Sequence, residues 1–160
     1  MSWWVLPTTA DIGIVCFAPS SSRLFEEAAL GLQHILLSDA ATKSLDTHLR
    51  HTSQWSIEAT EEREDLTLVR WLEEVLYKCE VDRQFLVDCQ IKIGEELLAQ
   101  VSWVDADTIE REIEVKAVTR HALECRSVAQ GEIIAGLAEV PDFEGPGWYC
   151  CLLYTSDAAD

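Results

Sequence analysis

Two aspartates, one where a strand begins and one where a helix ends, are the residues of this sequence best suited to chemistry. Asp11 opens an alternating apolar segment, and Asp39 follows an apolar helical pattern that stops near Leu37. Either aspartate alone is more typical of a turn or a solvated surface. A strand followed by an antiparallel helix, however, returns Asp39 towards Asp11. Hard cations such as Ca²⁺ take carboxylate and carbonyl oxygens, so the pair predicts a divalent metal site.

The position of Asp39 carries the more specific signal of the two. An anion just beyond a helix C-terminus meets the negative end of the helix dipole, which costs ~0.3–1 kcal/mol. A bound cation would reverse that cost. The alternative is that Asp39 stands far enough past the last turn, in water, to be little affected.

The histidines and cysteines form no catalytic pattern. His34 stands beside Ile35 in a helical pattern, which is more typical of a boundary residue than of a metal ligand. The cysteines include no Cys-x-x-Cys pair, and most of them alternate with aliphatic residues. We expect buried, reduced thiols and neither disulfides nor a zinc site. The sequence also has no phosphate-binding loop and no nucleophile elbow, so we predict that the protein is not an enzyme.

Lys116 is the candidate for a contact with a partner. It alternates with Glu114, Val118 and Arg120 along an extended segment, and such a face is usually the solvated side of a sheet. The alternative is a basic spot on an otherwise acidic protein, where a partner protein could bind.

The charge limits the class of partner. Twelve basic and 29 acidic residues give a net charge of −17. This charge repels phosphate backbones, so we expect no direct binding to nucleic acid. It favours divalent cations or a partner with a basic surface. The N-terminus lacks the pattern of a signal peptide, and no apolar run reaches the ~20 residues that a membrane crossing needs. A cytoplasmic protein without a membrane contact is expected.

The elements that must position these residues follow from the hydrophobic periodicity. Residues 10–17 alternate as a strand, and a serine-capped helix follows with an apolar stripe at helical spacing from Leu24 to Leu36. Residues 40–50 have no period and predict a loop. Residues 53–60 read as a strand, and Asp65 as the cap of a second helix that runs to about Cys79.

Strands dominate the rest of the chain. We predict strands over residues 85–93 and 96–104 joined by a turn at Gly94, and a longer strand over residues 111–126. A looser stretch, residues 130–147, leads to a last apolar run over residues 148–154. The order of elements predicts an α+β fold, with two helices packed on a largely antiparallel or mixed β-sheet in a single domain.

Four blocks of this sequence resemble the archease family, in the right order and spacing over about the first 125 residues. The segment from Thr9 to Ile14 is similar to the family's His-Thr-Ala-Asp opening. Residues 24–39 resemble its first helix with the acid at the end, and residues 64–77 its second helix. Residues 114–124 resemble its Val-Lys-Ala-Val-Thr strand.

This resemblance implies an accessory protein for an RNA ligase of the RtcB type in tRNA splicing and RNA repair. The family promotes guanylylation of the ligase and its multiple turnover. It binds a divalent metal, which we expect to be Ca²⁺, through positions that correspond here to Asp11 and Asp39. The lysine implicated in the activity corresponds to Lys116. The alternatives are a chaperone-like metal-binding module for other RNA-processing enzymes, such as an RNA methyltransferase, and a metal-dependent hydrolase, which would need a base or second metal that this sequence lacks.

The sequence departs from the family pattern at both ends. Pro7-Thr8 stands where the family has Asp-His. Residues 151–160 resemble translated sequencing-adapter read-through, so we expect an archease-like domain over residues 1–150 and a non-native tail in place of the native last strand. The third acidic ligand of the family would then be missing. By spacing its place is Thr155, and Asp157 could replace it only by accident.

Overall fold

The structure, a computed structural model, describes residues 3–6 and 12–158 of the chain. The α-helices in this part of the chain are α1 (Ser21–Leu36), α2 (Asp39–Ser44) and α3 (Glu64–Glu80), with short 3₁₀ turns at Leu45–Thr47 and Ala106–Thr108. The strands are β1 (Trp3–Leu6), β2 (Ile12–Ala18), β3 (His51–Glu58), β4 (Gln84–Ile93), β5 (Glu96–Asp105), β6 (Ile113–Val128), β7 (Ile133–Ile134), β8 (Phe143–Glu144) and β9 (Gly147–Ala158).

The strands form two main sheets, and this confirms the predicted α+β class. One sheet has the order β1-β2-β9-β6 and the other has the order β3-β5-β4, while β7 and β8 form a small hairpin. Every pairing in these sheets is antiparallel. The helices therefore pack between partners from two sheets, where the sequence had predicted one.

Helix α1 lies at the centre of the fold because it contacts strands of both sheets. Its start is fixed by Ser20, whose Oγ accepts a hydrogen bond from the Arg23 N–H at 3.2 Å. Most of the predicted apolar stripe is fully buried, as at Leu24 and Leu32. Gly31 allows a close approach to the sheet, because a Cβ at this position would collide with the Ile14 side chain of β2.

Helix α3 packs on the same core, with small differences from its predicted boundaries. It begins at Glu64, and Arg63 takes the N-cap position without a side-chain cap. Asp65, predicted as the cap, lies inside the first turn and forms an ion pair with Arg63 at 3.1 Å. The indole of Trp71 donates a hydrogen bond to the Phe25 carbonyl at 3.1 Å, so the two long helices are tied together inside the core.

Strand β2 is buried on both faces, which the predicted alternation did not show. Ile14 and Cys16 face the main core, while Val15 belongs to a second apolar cluster on the other side of the sheet. The segment that carries β7 and β8 covers this cluster through Phe143, whose ring stacks on Phe17 with 4.9 Å between centroids. Burying β2 on both sides fixes its register against β9.

Two predictions of local structure were wrong. Residues 39–44, assigned to a loop apart from Asp39, form α2, because the Ser38 Oγ accepts a hydrogen bond from the Ala41 N–H at 3.0 Å and caps the helix. Strand β1 was not predicted at all, since four residues are too few to show a period. Nothing tests the domain boundary at residue 150. Strand β9 runs through it, and Leu152 and Tyr154 are fully buried.

None of the helices in the described ranges combines the length and the apolar character that a membrane crossing requires.

The core assignment of α3 leads to a stability prediction. Leu72 is fully buried in the middle of the helix, so Leu72→Ala should lower the free energy of unfolding by ~2–5 kcal/mol through lost burial and a residual cavity. Glu73 is exposed one residue further on, and Glu73→Ala should change stability by less than ~0.5 kcal/mol. Urea denaturation followed by circular dichroism measures both. Equal losses for the two variants would show that the packed face of α3 has been misassigned.

Candidate functional site

The segments that carry the candidate residues meet at one end of the four-stranded sheet. Strand β2 begins at Ile12, which pairs with Tyr154 of β9. Beyond that pair β9 continues along the first half of β6, where Thr155 pairs with Ala117 and Ala158 with Ile113. The start of β2, the end of β9 and the start of β6 therefore share this end, which we call the β2-start end.

The C-terminus of α1 is attached to the chain that leads into the same end of β6. Leu37 forms an isolated antiparallel bridge with Arg111. On either side of it, the Glu112 N–H donates to the Leu36 carbonyl at 2.9 Å, and the Ser38 N–H donates to the Glu110 carbonyl at 3.3 Å. These backbone bonds fix the segment that places Asp39.

Asp39 is exposed at the first position of α2. It follows the end of α1, as predicted, but it also stands in the first turn of a new helix, where the dipole favours an anion. The expectation that removing this carboxylate would relieve the metal-free protein is therefore wrong. Within the described chain the Asp39 carboxylate forms no hydrogen bond or ion pair, so its oxygens are available to a ligand.

Asp11 lies outside the described residues, and so does the side chain of Lys116. The backbone of Lys116 belongs to β6 at a bulge, between the pairs Val115↔Ser156 and Ala117↔Thr155. This bulge breaks the predicted polar face, because Val115 and Val118 are both buried while Glu114 and Ala117 are exposed. A period of two cannot hold across an inserted residue. The backbone of Lys116 thus neighbours that of Thr155, the position predicted for the family's third acid.

In residues 3–6 and 12–158, no three His, Cys, Asp or Glu side chains are grouped so that they could hold a metal ion. This range contributes one candidate ligand, the hard carboxylate of Asp39, which suits Ca²⁺ by its chemistry. The metal site predicted from Asp11 and Asp39 stays a prediction.

The cysteines are unpaired, as predicted, and several are held as thiols. Burial raises the pKa of Cys89 to about 12, and it also raises the pKa of Cys79. Cys150 lies opposite Cys16 across β2 and β9, and their mutual hydrogen bond together with full burial raises the pKa of Cys150. A nucleophilic cysteine needs the opposite shift, so these three thiols are structural.

The comparison with known proteins decides the family. The profile of the Archease protein family (MTH1598/TM1083) matches residues 3–136, most of the chain. The chain belongs to the archease family. The match spans Asp11, Asp39 and Lys116 and ends before β9. Archeases are accessory proteins, and this family membership supports an accessory role for the chain.

A solved structure agrees with the archease fold. The solution structure of protein 1598 from Methanobacterium thermoautotrophicum superposes with a TM-score of 0.60 at 19% sequence identity. The similarity covers 96% of this chain and 98% of the other. At this identity the likeness shows the fold alone. No curated protein matches the chain.

A buried charged cluster of this archease was missed from the sequence. Glu26 and Glu27 of α1 are 9% and 7% exposed, and both form ion pairs with Arg23, at 3.4 and 2.6 Å. Burial raises the pKa of Glu26, and Arg23 and the backbone N–H of Ile91 partly oppose that rise. Two acids near a helix start look like a dipole effect in the sequence. They are buried because β4 packs over them, which no local pattern indicates.

The raised pKa of Glu26 predicts a pH-dependent stability. Below the ordinary value of 4.5 the carboxyl is protonated in both the folded and the unfolded chain. Above its raised pKa in the folded chain, the unfolded chain holds fewer protons, so wild-type stability falls as the pH rises. The stability of Glu26→Gln relative to the wild type should therefore increase between about pH 4 and pH 7.

Thermal melts of both proteins across this range measure the difference. Glu73→Gln, an exposed change on α3, is the control and should follow the wild type. A difference between Glu26→Gln and the wild type that stays constant with pH would contradict the prediction.

Proposed function

We propose that this archease activates an RtcB-type RNA ligase, promoting its guanylylation and multiple turnover in tRNA splicing or RNA repair. The observation that carries the proposal is the family match over residues 3–136, since this range holds all three positions implicated by the resemblance. The protein acts in the cytoplasm through protein–protein contact and catalyses no step itself.

The charge supports a protein partner. With a net charge of −17, the protein is repelled by RNA phosphates and attracted to a basic protein face. Many of its cations are already tied to acids, as in the ion pairs of Arg23, Arg63, Arg83, Arg111 and Arg126. A ligase surface that handles RNA is basic, so the two proteins complement each other in charge.

The proposed working surface is the β2-start end with Asp39 beside it. Asp11 and Asp39 would hold a divalent ion there, with Ca²⁺ as the expected metal. The ion would supply a concentrated positive charge at the edge that meets the ligase. Lys116 would act on the partner, and the backbone position of this lysine in a bulge supports the proposal, because bulges re-aim side chains at functional edges.

Calcium binding should be measurable without the ligase. At a Ca²⁺ concentration of about 100 times the dissociation constant, binding adds ~2.7 kcal/mol, which raises Tm by roughly 5–10 °C for a domain of this size. Asp11→Ala and Asp39→Ala should each lose most of that shift. Asp88→Ala, an exposed aspartate on β4, should keep it. A melt of the wild type that does not respond to Ca²⁺ or to EGTA would contradict the metal site.

The ligase proposal is tested by transfer of guanylate to a purified RtcB-type ligase at limiting archease. Wild type should stimulate the transfer, and Asp11→Ala or Asp39→Ala should lower the stimulation roughly tenfold or more, as expected for damage to a metal site. Lys116→Ala should lower it while leaving the Ca²⁺ shift unchanged. Lys92→Ala, an exposed lysine on β4, is its matched control.

The possible failures of that assay are distinct. Full stimulation by both aspartate variants would contradict the metal at the working surface but leave the ligase as the partner. A wild-type protein that fails to stimulate the ligase at any concentration would contradict the proposed function. The same purified proteins could then be tested on an RNA methyltransferase, the alternative partner.

A further inference from the structure

A cavity of about 190 Å³ lies between the C-terminal half of α1, strand β1 and the beginning of β4. Its walls are mostly apolar and include one indole and one phenyl ring, from Trp3, Leu30, Leu37, Leu45, Phe85 and Leu86. His34 stands exposed at the rim, with its ring centroid 5.0 Å from that of Trp3. The cavity is separate from the residues assigned to the working surface.

One polar side chain in this apolar lining lacks a partner. Gln33 is only 2% exposed, and neither its Nε2 nor its Oε1 has a hydrogen-bond partner in the described part of the chain. A buried amide with unmade hydrogen bonds lowers stability, and an apolar side chain of similar length would remove that cost. A ligand in the cavity that offers both a donor and an acceptor would explain why an amide stands here.

Glu26 shows what this face of α1 does where it is satisfied. Glu26 and Gln33 are seven residues apart, close to two helical turns, and therefore share a face of the helix. The Glu26 carboxylate accepts a hydrogen bond from the backbone N–H of Ile91, on the edge strand β4. Further along β4 the register shifts between Leu86 and Asp88, so Val87 is unmatched on β5. Val87 lines the cavity, and the helix and the bulged edge are separated there.

The shape and the lining define the ligand. A cavity of about 150 Å³ holds a benzene ring, so this one accommodates a single six-membered ring. The apolar walls and Trp3 favour a flat, uncharged ring, which can stack on the indole. An amide pairs best with an edge that carries a donor beside an acceptor, as glutamine does with a base edge. We propose that this cavity binds a pyrimidine-type ring, whose adjacent N–H and C=O groups pair with the amide of Gln33.

Such a ring could arrive as a free base or nucleoside, or as one unstacked base of an RNA strand. Each phosphate of a strand adds a repulsion from a protein of net charge −17, and this repulsion weakens with salt. A free base carries no such penalty. The two sources therefore differ in how binding depends on charge and on ionic strength.

The test is calorimetric and ligand-observed NMR titration of the full chain with uracil, uridine, N3-methyluracil, toluene and a short oligouridylate. Uracil and uridine should bind, and N3-methyluracil should bind on the order of tenfold more weakly, because it lacks the N–H donor. The oligouridylate should bind more weakly than uridine at low salt and approach it at high salt if RNA is a possible source. An oligouridylate that fails to bind at any salt assigns the site to the free base.

Substitution of Gln33 provides the second arm. Gln33→Leu should weaken uracil by a similar factor, retain toluene, and melt at a higher temperature than the wild type. Gln90→Leu, an exposed glutamine on β4, should leave all affinities unchanged. The proposal is overturned if uracil and uridine fail to bind the wild type at millimolar concentration, or if toluene alone binds. Equal affinities for uracil and N3-methyluracil would overturn it as well, and this comparison needs no variant.

Discussion

The enclosure of α1 by strands of both sheets is the constraint on which the other features depend. The helix touches β1, β2, β6 and β9 on the four-stranded sheet and β4 on the other. Close approach at Gly31 is possible because this residue has no Cβ to meet Ile14. Once α1 is fixed in this way, its last turn is held against the chain entering β6, through the Leu37–Arg111 bridge. The position of Asp39 is therefore set by helix packing, and little freedom is left to the segment that follows.

Local patterns predicted the elements that bury one face, and they failed where distant parts of the chain decide the outcome. The stripes of α1 and α3 and the β4–β5 hairpin around Gly94 follow from a period of 3.6 or 2 in a short window. The bulge at Lys116 does not, because its extra residue is defined only by the register of β9, about 40 residues later. Capping by Ser38 explains why a stretch without hydrophobic period still forms α2.

The candidate site was predictable to the same degree. Asp39 was identified from its place after an apolar stripe, and the structure places it at that junction. Glu26 and Gln33 could not be identified, because a polar residue on a helix is assigned to solvent unless a second partner is known. That partner is β4, about 60 residues further along the chain, whose edge packs on the polar side of α1. A helix that is buried on more than one side has no sequence signature as clear as an amphipathic one.

The buried polar face of α1 and the net charge lead to the same view of the surface. Arg23 is used internally, since it offsets Glu26 and Glu27, and so it adds little positive field outside. The exposed aspartates and glutamates then dominate the long-range potential, which attracts cations and basic surfaces and repels phosphates. In such a field a divalent ion near Asp39 gains from every neighbouring acid, including those that do not touch it. The protein's charge thus favours a metal at its working surface and a basic protein as its partner for a single electrostatic reason.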